Sequence, residues 1–226
     1  MNTNRKQLGV LGLGNRSTLF YINALNTAFN YQEKGYSTFP FVLYNTDFNS
    51  INPYLPNDFD KLVPVISEVI TSLEQLPITH LLIPNITLHE TIDRVHIPFK
   101  ILHPLSLCIK VLKQKKKTSA IVFGTRYTMN SSYFRDYFSS EGIQIQAPLE
   151  EDMMFIDQFR KNIYTNTETE AQKITYFKLL KKYNTQAPVI LACTELSVLY
   201  TKNDDFKSVD LVTLQIEEAL RLYKNN

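Results

Sequence analysis

The chain has 226 residues, of which 44% are hydrophobic, so it predicts a folded protein with enough material for one large domain or two small ones. Its net charge is only +2, which gives no support to nucleic-acid binding. It contains neither a signal-type segment nor an apolar run near the ~18 residues that a membrane span needs. The two cysteines, Cys108 and Cys193, do not form a disulfide scaffold. We therefore expect a cytoplasmic protein without a nucleic-acid or membrane partner.

Short apolar runs alternate with longer helical patterns along the whole chain. The predicted strands are 7–11, 39–44, 80–83, 97–101, 119–123, 142–146, 187–192 and 208–210. The predicted helices are 17–30, 59–76, 103–115, 130–140, 153–164, 168–183 and 212–225. A strand that alternates with a helix in this way is typical of a parallel sheet with crossover helices. The pattern predicts an α/β protein.

Two similar halves are indicated by spacings near 110 residues. Gly14 and Gly124 each end a strand and lie 110 residues apart, while Asn85 and Cys193 follow later strands and lie 108 apart. We therefore expect two pseudo-symmetric, doubly wound, flavodoxin-like domains, with the active site in the cleft between them. The first would contain residues 1–103 and 207–226, and the second residues 104–206.

The most informative segment is the strand that ends in Cys193-Thr194-Glu195. Open α/β sheets bind ligands at the carboxyl ends of their strands, so this segment would bring a thiol, a hydroxyl and a carboxylate to that edge. A thiolate there can act as a nucleophile or a general base, and strand-end N–H groups can lower the pKa of such a thiol. The alternative is a buried, inert cysteine.

Two strand-to-helix turns are candidate carboxylate sites. The backbone of Leu13, Gly14 and Asn15 can bind an anion at a helix start, whereas Ser17 replaces the third glycine of a dinucleotide fingerprint. In the second half, the hydroxyls of Thr125 and Thr128 could donate to a carboxylate. Helix capping by Thr128 or Asn130 is the alternative interpretation.

A metal site is not expected from the histidines. His89, His96 and His103 are spaced by seven residues, but Pro98 and Pro104 interrupt any helix that would align them. Cys108 falls within a predicted helix and is expected in the core.

These segments together resemble the cofactor-independent aspartate/glutamate racemase family over nearly the whole chain. The motifs that carry the resemblance are Gly12-Leu13-Gly14 with Ser17-Thr18, Tyr44-Asn45-Thr46-Asp47-Phe48, Asn85-Ile86-Thr87-Leu88-His89, Gly124-Thr125-Arg126-Tyr127-Thr128-Met129, Ile163-Tyr164 and Cys193-Thr194-Glu195-Leu196. The resemblance implies two domains that enclose the substrate. It also implies two cysteines that exchange the α-proton on opposite faces, without pyridoxal phosphate or another cofactor.

The first cysteine of that family is Asn85 in this chain, and Ile86 replaces the asparagine that follows it. Because an amide cannot act as a base, the resemblance implies that Cys193 is the base, on the face used for the L-amino acid. Asn85 or an ordered water would lie on the opposite face. The residues implied to hold the α-carboxylate and amino group are Leu13, Gly14, Asn15, Thr87, Thr125, Thr128, Thr194 and Glu195.

The sequence therefore predicts an amino-acid racemase that acts by 1,1-proton transfer on aspartate or glutamate, with a preference for the L-enantiomer. Two alternatives remain open. One is a one-cysteine lyase such as a decarboxylase, and the other is a catalytically silent protein that binds a carboxylate or an amino acid. The expected partner is a small amino acid or dicarboxylate, and a homodimer is left open. The region after Tyr44 shows no obvious arginine to hold a side-chain carboxylate, and Gln215 stands where relatives often have histidine, so the substrate side chain is not assigned.

Overall fold

A computed structural model describes residues 7–199 and 208–224. These residues form two compact units. The first contains the described residues up to His103 and those from Gln215 onward, and the second contains those from Pro104 to Leu214. The predicted boundary between residues 206 and 207 lies outside the described residues.

The first unit is built on a parallel sheet with four described strands. They are β1 (Leu8–Gly12), β2 (Phe41–Asn45), β3 (His80–Leu82) and β4 (Lys100–Ile101), in the order β2-β1-β3-β4. Its helices are α1 (Asn15–Glu33), α2 (Phe59–Leu73) and the single turn α3 (His89–Ile92), with 3-10 helices at Phe48–Ser50 and Asn52–Tyr54.

The second unit repeats this topology. Its described strands are β5 (Ser119–Phe123), β6 (Gln144–Gln146), β7 (Val189–Leu191) and β8 (Val209–Asp210), all parallel, in the order β6-β5-β7-β8. Its helices are α4 (Pro104–Gln114), α5 (Arg126–Asn130), α6 (Ser132–Ser139), α7 (Glu150–Thr165), α8 (Glu170–Asn184) and α9 (Thr194–Val198). Helix α10 (Leu211–Lys224) begins in this unit and ends in the first.

Apolar spacing explains how helices cover the sheets. In α2, Leu62, Ile66, Ile70 and Leu73 recur every three or four residues, and all are buried in the core of the first unit. The second unit has an aromatic core in which the Tyr176 ring lies 5.1 Å from that of Phe159 on α7 and 6.3 Å from that of Phe123 on β5. Burial of these faces fixes the helices against the strands that they follow.

The predicted α/β fold class, with a parallel sheet in each half, is confirmed. Each predicted strand has a counterpart among the described residues, although the run 97–101 is reduced to β4, since Pro98 cannot donate to a sheet. The predicted helix 130–140 begins instead at Ser132, because the Ser131 hydroxyl accepts the Phe134 N–H and caps α6. The short helices α3, α5 and α9 were not predicted.

Among the described residues, none of the helices is long and apolar enough to span a membrane.

Candidate functional site

The central strands of the second unit bring its two sequence motifs together. β5 and β7 are parallel neighbours, and their partners β6 and β8 lie on opposite sides, so the strand order reverses between them. Ligands of open α/β sheets bind at such a reversal. The Ala192 N–H donates to the Phe123 carbonyl at 2.8 Å, which aligns the two strand ends. Gly124 and Cys193 therefore follow neighbouring strands at one edge.

A thiol–carboxylate pair occupies this edge. The Cys193 Sγ donates to Oε2 of Glu195 at 2.7 Å. Cys193 has extended backbone and is the N-cap of α9, so the helix turn brings the carboxylate two residues later back over the sulfur. The cysteine is buried, with 7% of its surface exposed, whereas Glu195 is half-buried. This geometry lets Glu195 accept the thiol proton.

The net change in the pKa of Cys193 is opposite to the lowering that strand-end N–H groups can produce. Burial raises this pKa well above its ordinary value of 9.0, and the charge and hydrogen bond of Glu195 raise it further. The positive charge of Arg160 and the backbone N–H of Glu195 act in the opposite direction, but they are outweighed. At neutral pH Cys193 is consequently a thiol that is ready to donate a proton, and it becomes a base only after losing that proton.

Two hydroxyl groups follow the end of the neighbouring strand, β5. Thr125 caps α5, because its Oγ1 accepts the Thr128 N–H at 3.0 Å, so the capping residue is neither Thr128 nor Asn130. The Thr125 and Thr128 hydroxyls are also bonded to each other at 2.9 Å. One hydroxyl of such a pair keeps a proton to donate elsewhere. Thr194, the first residue of α9, is buried next to Cys193.

Gly124 allows the ends of β5 and β7 to lie close together. A Cβ at Gly124 would lie 3.2 Å from the Ala192 carbonyl oxygen and 3.3 Å from the Thr128 Cβ. A side chain at this position would push the two strand ends apart.

A buried polar chain that the sequence did not reveal supports the turn at Cys193. The Ser197 hydroxyl lies 3.2 Å from the Cys193 carbonyl oxygen and 2.5 Å from Oδ1 of Asp210, at the end of β8. Oδ2 of Asp210 accepts the N–H of Thr213 at 3.0 Å and its hydroxyl at 2.6 Å. Burial raises the pKa of Asp210, while the bonds from Ser197 and Thr213 oppose this rise. These hydrogen bonds link three elements that follow one another along the chain, which are β7, α9 and β8.

The corresponding edge of the first unit lies between β1 and β3, where the same strand order reverses. The Leu13 N–H donates to the Thr18 hydroxyl at 3.0 Å and is therefore used within the turn. Gly14 is the N-cap of α1, and the N–H groups of Gly14 and Asn15 belong to a helix start, where amides have no intrahelical partner. An anion at this edge would be bound by those two amides.

Asn85 follows β3 and stabilises its own turn. Its Oδ1 accepts the Leu88 N–H at 3.0 Å, and its carbonyl accepts a hydrogen bond from Nδ1 of His89 at 2.9 Å. Burial, reinforced by the neighbouring His103, lowers the pKa of His89 to about 3, so its ring is neutral with the proton on Nδ1. Thr87 lies half-buried in the same turn. At this edge Asn85 and His89 therefore form hydrogen bonds, and neither side chain is charged.

Among the described residues there is no cluster of three or more His, Cys, Asp or Glu side chains placed to hold a metal ion. His89 and His103 do meet, with ring centroids 4.9 Å apart. Cys108 is fully buried in α4, and burial raises its pKa far above the ordinary range. It is a core residue.

Solved structures share this fold over almost their whole length. A candidate Asp/Glu racemase from Yersinia pestis matches with a TM-score of 0.83 at 21% identity, and an aspartate racemase homologue from Pyrococcus horikoshii with 0.80 at 15%. The Picrophilus torridus aspartate racemase matches with 0.74 at 20% identity. Each alignment covers 97% of this chain and 99% of the other. The chain has the fold of the aspartate/glutamate racemases. No protein-family model and no curated protein sequence matches it.

Within this racemase fold the predicted site residues fall into two groups. Cys193, Thr194, Glu195, Thr125 and Thr128 lie at the edge of the second sheet, following β5 and β7. The other group, at the corresponding edge of the first sheet, contains Leu13, Gly14, Asn15, Asn85 and Thr87. The sequence analysis missed four residues that support the first group, which are Asp157 and Arg160 on α7, Ser197 on α9 and Asp210 in β8.

Proposed function

We propose that the protein is an amino-acid racemase that transfers the α-proton of aspartate or glutamate without a cofactor, with a preference for the L-enantiomer. The observation that carries the proposal is the 2.7 Å contact between the Cys193 thiol and the Glu195 carboxylate at the strand-order reversal. The shared fold with aspartate and glutamate racemases supports it.

The thiol–carboxylate pair supplies the proton transfers. Glu195 takes the thiol proton from Cys193, and the resulting thiolate takes the proton from the substrate α-carbon. The electron pair left on that carbon spreads into the α-carboxylate, where the hydroxyls of Thr125 and Thr128 can stabilise the added charge. In the reverse step the Cys193 thiol returns its proton to the same face.

Asn85 cannot perform the matching step on the opposite face, because its amide neither gains nor loses a proton near neutral pH. It would contribute a hydrogen bond, and a water would have to deliver the proton for inversion. The proposal requires Asn85 and Cys193 to reach one substrate, and this stays a prediction. It follows that exchange of the α-proton should be faster than inversion.

A decarboxylating lyase is the second candidate. It is favoured by the raised pKa of Cys193, since a protonated thiol can donate to the carbanion left by loss of carbon dioxide. Such an enzyme needs only one acid, and the Asn85 edge would then only bind substrate.

Proton exchange in heavy water separates the candidates. Purified protein is incubated with the L- and D-forms of aspartate and glutamate, and loss of the Cα proton signal is followed by NMR. The racemase proposal predicts exchange of an L-substrate. Carbon dioxide release from a substituted malonate, without exchange, would favour the lyase. A thermal shift on binding with neither reaction would favour a silent binding protein.

A further inference from the structure

Helix α7 connects the two motifs of the second unit. It packs against α5, which follows Thr125, and against α9, which follows Cys193. Asp157 and Arg160 are three residues apart on this helix, so they share a face. Neither residue was assigned a role by the sequence analysis.

Asp157 holds neighbouring groups in place on this face of α7. Its side chain is buried, and its Oδ1 accepts the Arg126 N–H at 3.1 Å and Nε of Arg160 at 2.8 Å. Nζ of Lys161 lies 2.8 Å from Oδ2. Burial alone would raise the pKa of Asp157, but these three groups together lower it, so the carboxylate is ionised. The hydrogen bond from the Arg126 N–H fixes Asp157 to the first residue of α5.

Arg160 is held in place by this carboxylate. Its side chain is only 21% exposed, and Nε is occupied by Asp157, so the guanidinium has a defined position with further N–H groups left to donate. Its positive charge acts on Cys193, against that of Glu195. A fixed guanidinium with unused donors is well suited to a carboxylate.

We propose that Arg160, fixed by Asp157, binds an anionic group of the ligand, a carboxylate, beside Cys193. For the racemase reaction this rests on the proposed function, and the carboxylate would be one of the two that aspartate or glutamate carries. Arg160 in the second unit would then select acidic substrates, although the region after Tyr44 shows no obvious arginine for this role.

Alkylation of Cys193 tests this without turnover. Iodoacetate carries the proposed carboxylate and iodoacetamide is its neutral analogue, so the ratio of their rates measures anion binding beside the sulfur. The fully buried Cys108 is not expected to react, and peptide mass spectrometry assigns the modified residue. Arg135, on α6, provides a matched control because its guanidinium bonds the Asn130 carbonyl instead of an acid.

Arg160→Met should lower the iodoacetate-to-iodoacetamide ratio about three- to tenfold, as loss of one nearby charge predicts. Arg160→Lys should keep most of the ratio, and Arg135→Met all of it. An unchanged ratio in folded Arg160→Met protein, checked by circular dichroism, would overturn the proposal.

A second measurement uses the unmodified protein, in case Arg160→Met does not fold. Succinate should slow iodoacetamide alkylation of Cys193, whereas the neutral succinamide at equal concentration should not. Equal protection by both compounds, or protection by neither, would reject the carboxylate site. Because no proton exchange is needed, failure here is distinguishable from failure of the racemase proposal.

Discussion

The two sheet edges have the same architecture and different chemistry. In each unit the strand order reverses between the first and third strands, and each of these strands leads through a turn into a helix. The edge of the second unit holds Cys193 against Glu195, and the positive charge of Arg160 acts on this thiol. At the same place in the first unit, Asn85 is bonded to its own turn and to the neutral ring of His89.

This difference separates what the fold provides from what the side chains provide. Both edges have N–H groups and hydroxyls suited to an anion, because those follow from parallel strands and helix starts. Only the second combines a thiol with a carboxylate that can take its proton. We therefore expect proton transfer at the edge of the second unit and not at that of the first, and the predictions that follow test this asymmetry.

Removing the thiol should have the largest effect. Cys193→Ala removes the group that gives and takes the proton, so α-proton exchange should fall by about 1,000-fold or more. Cys108→Ala is the matched control, since this buried thiol should affect stability and leave exchange within about twofold after correction for folded protein. Rates are measured by NMR in heavy water. Equal losses in the two variants would move the site away from β7.

The pH profile of Cys193 reactivity should show the next largest effect. Because the pKa of Cys193 is raised above 9.0, its thiolate fraction grows about tenfold per pH unit between pH 7 and pH 9. Iodoacetamide alkylation should rise with it, without a plateau in this range. The rate is followed by mass spectrometry. A plateau below pH 8 would show that the thiol is already ionised and would contradict the Glu195 contact.

Glu195→Gln should separate reactivity from catalysis. Glutamine keeps a hydrogen-bonding group but loses the charge that raises the pKa of Cys193, so alkylation at pH 7 should become about three- to tenfold faster. Exchange should become about tenfold slower, since the proton acceptor is gone. The exposed Glu151 on α7 gives the control Glu151→Gln, which should change neither rate. Parallel changes in both rates would mean that Glu195 only supports the structure.

A pair of helix caps should give the smallest effect. Thr125→Ala and Ser131→Ala each remove an N-cap in the second unit and should each cost about 1 kcal/mol in the free energy of unfolding. Only Thr125 follows β5, the strand that pairs with β7 before Cys193, so only its loss should also raise KM for the substrate. Urea unfolding and exchange kinetics test the two parts. If Thr125→Ala and Ser131→Ala change KM equally, Thr125 has only a structural role.

The sequence predicted the regular part of this molecule well. Short apolar runs and two spacings near 110 residues are enough to indicate eight strands and two similar halves. Helices α5 and α9 have five residues each, which is too short for a helical period to show. They matter because α9 turns Glu195 back onto Cys193, where its charge adds to the rise in the Cys193 pKa that burial causes.

The supporting residues could not be found from sequence because their contacts join separate elements. Ser197 on α9 is hydrogen-bonded to Asp210 at the end of β8, and Asp157 on α7 accepts the N–H of Arg126 on α5. The spacing of Asp157 and Arg160 is visible in the sequence, but its meaning depends on which elements α7 packs against.

The central claim is that only one edge moves the proton, and comparing exchange with inversion tests it most directly. L-Aspartate and L-glutamate are incubated in heavy water, and deuterium at Cα and the D-enantiomer are quantified in the same samples. With Cys193 as the only base, deuterium should enter with retention about tenfold or more faster than the D-enantiomer forms. Asn85→Cys should raise inversion toward the exchange rate. Equal rates of exchange and inversion in the unmodified protein would show a second base opposite Cys193 and contradict the account.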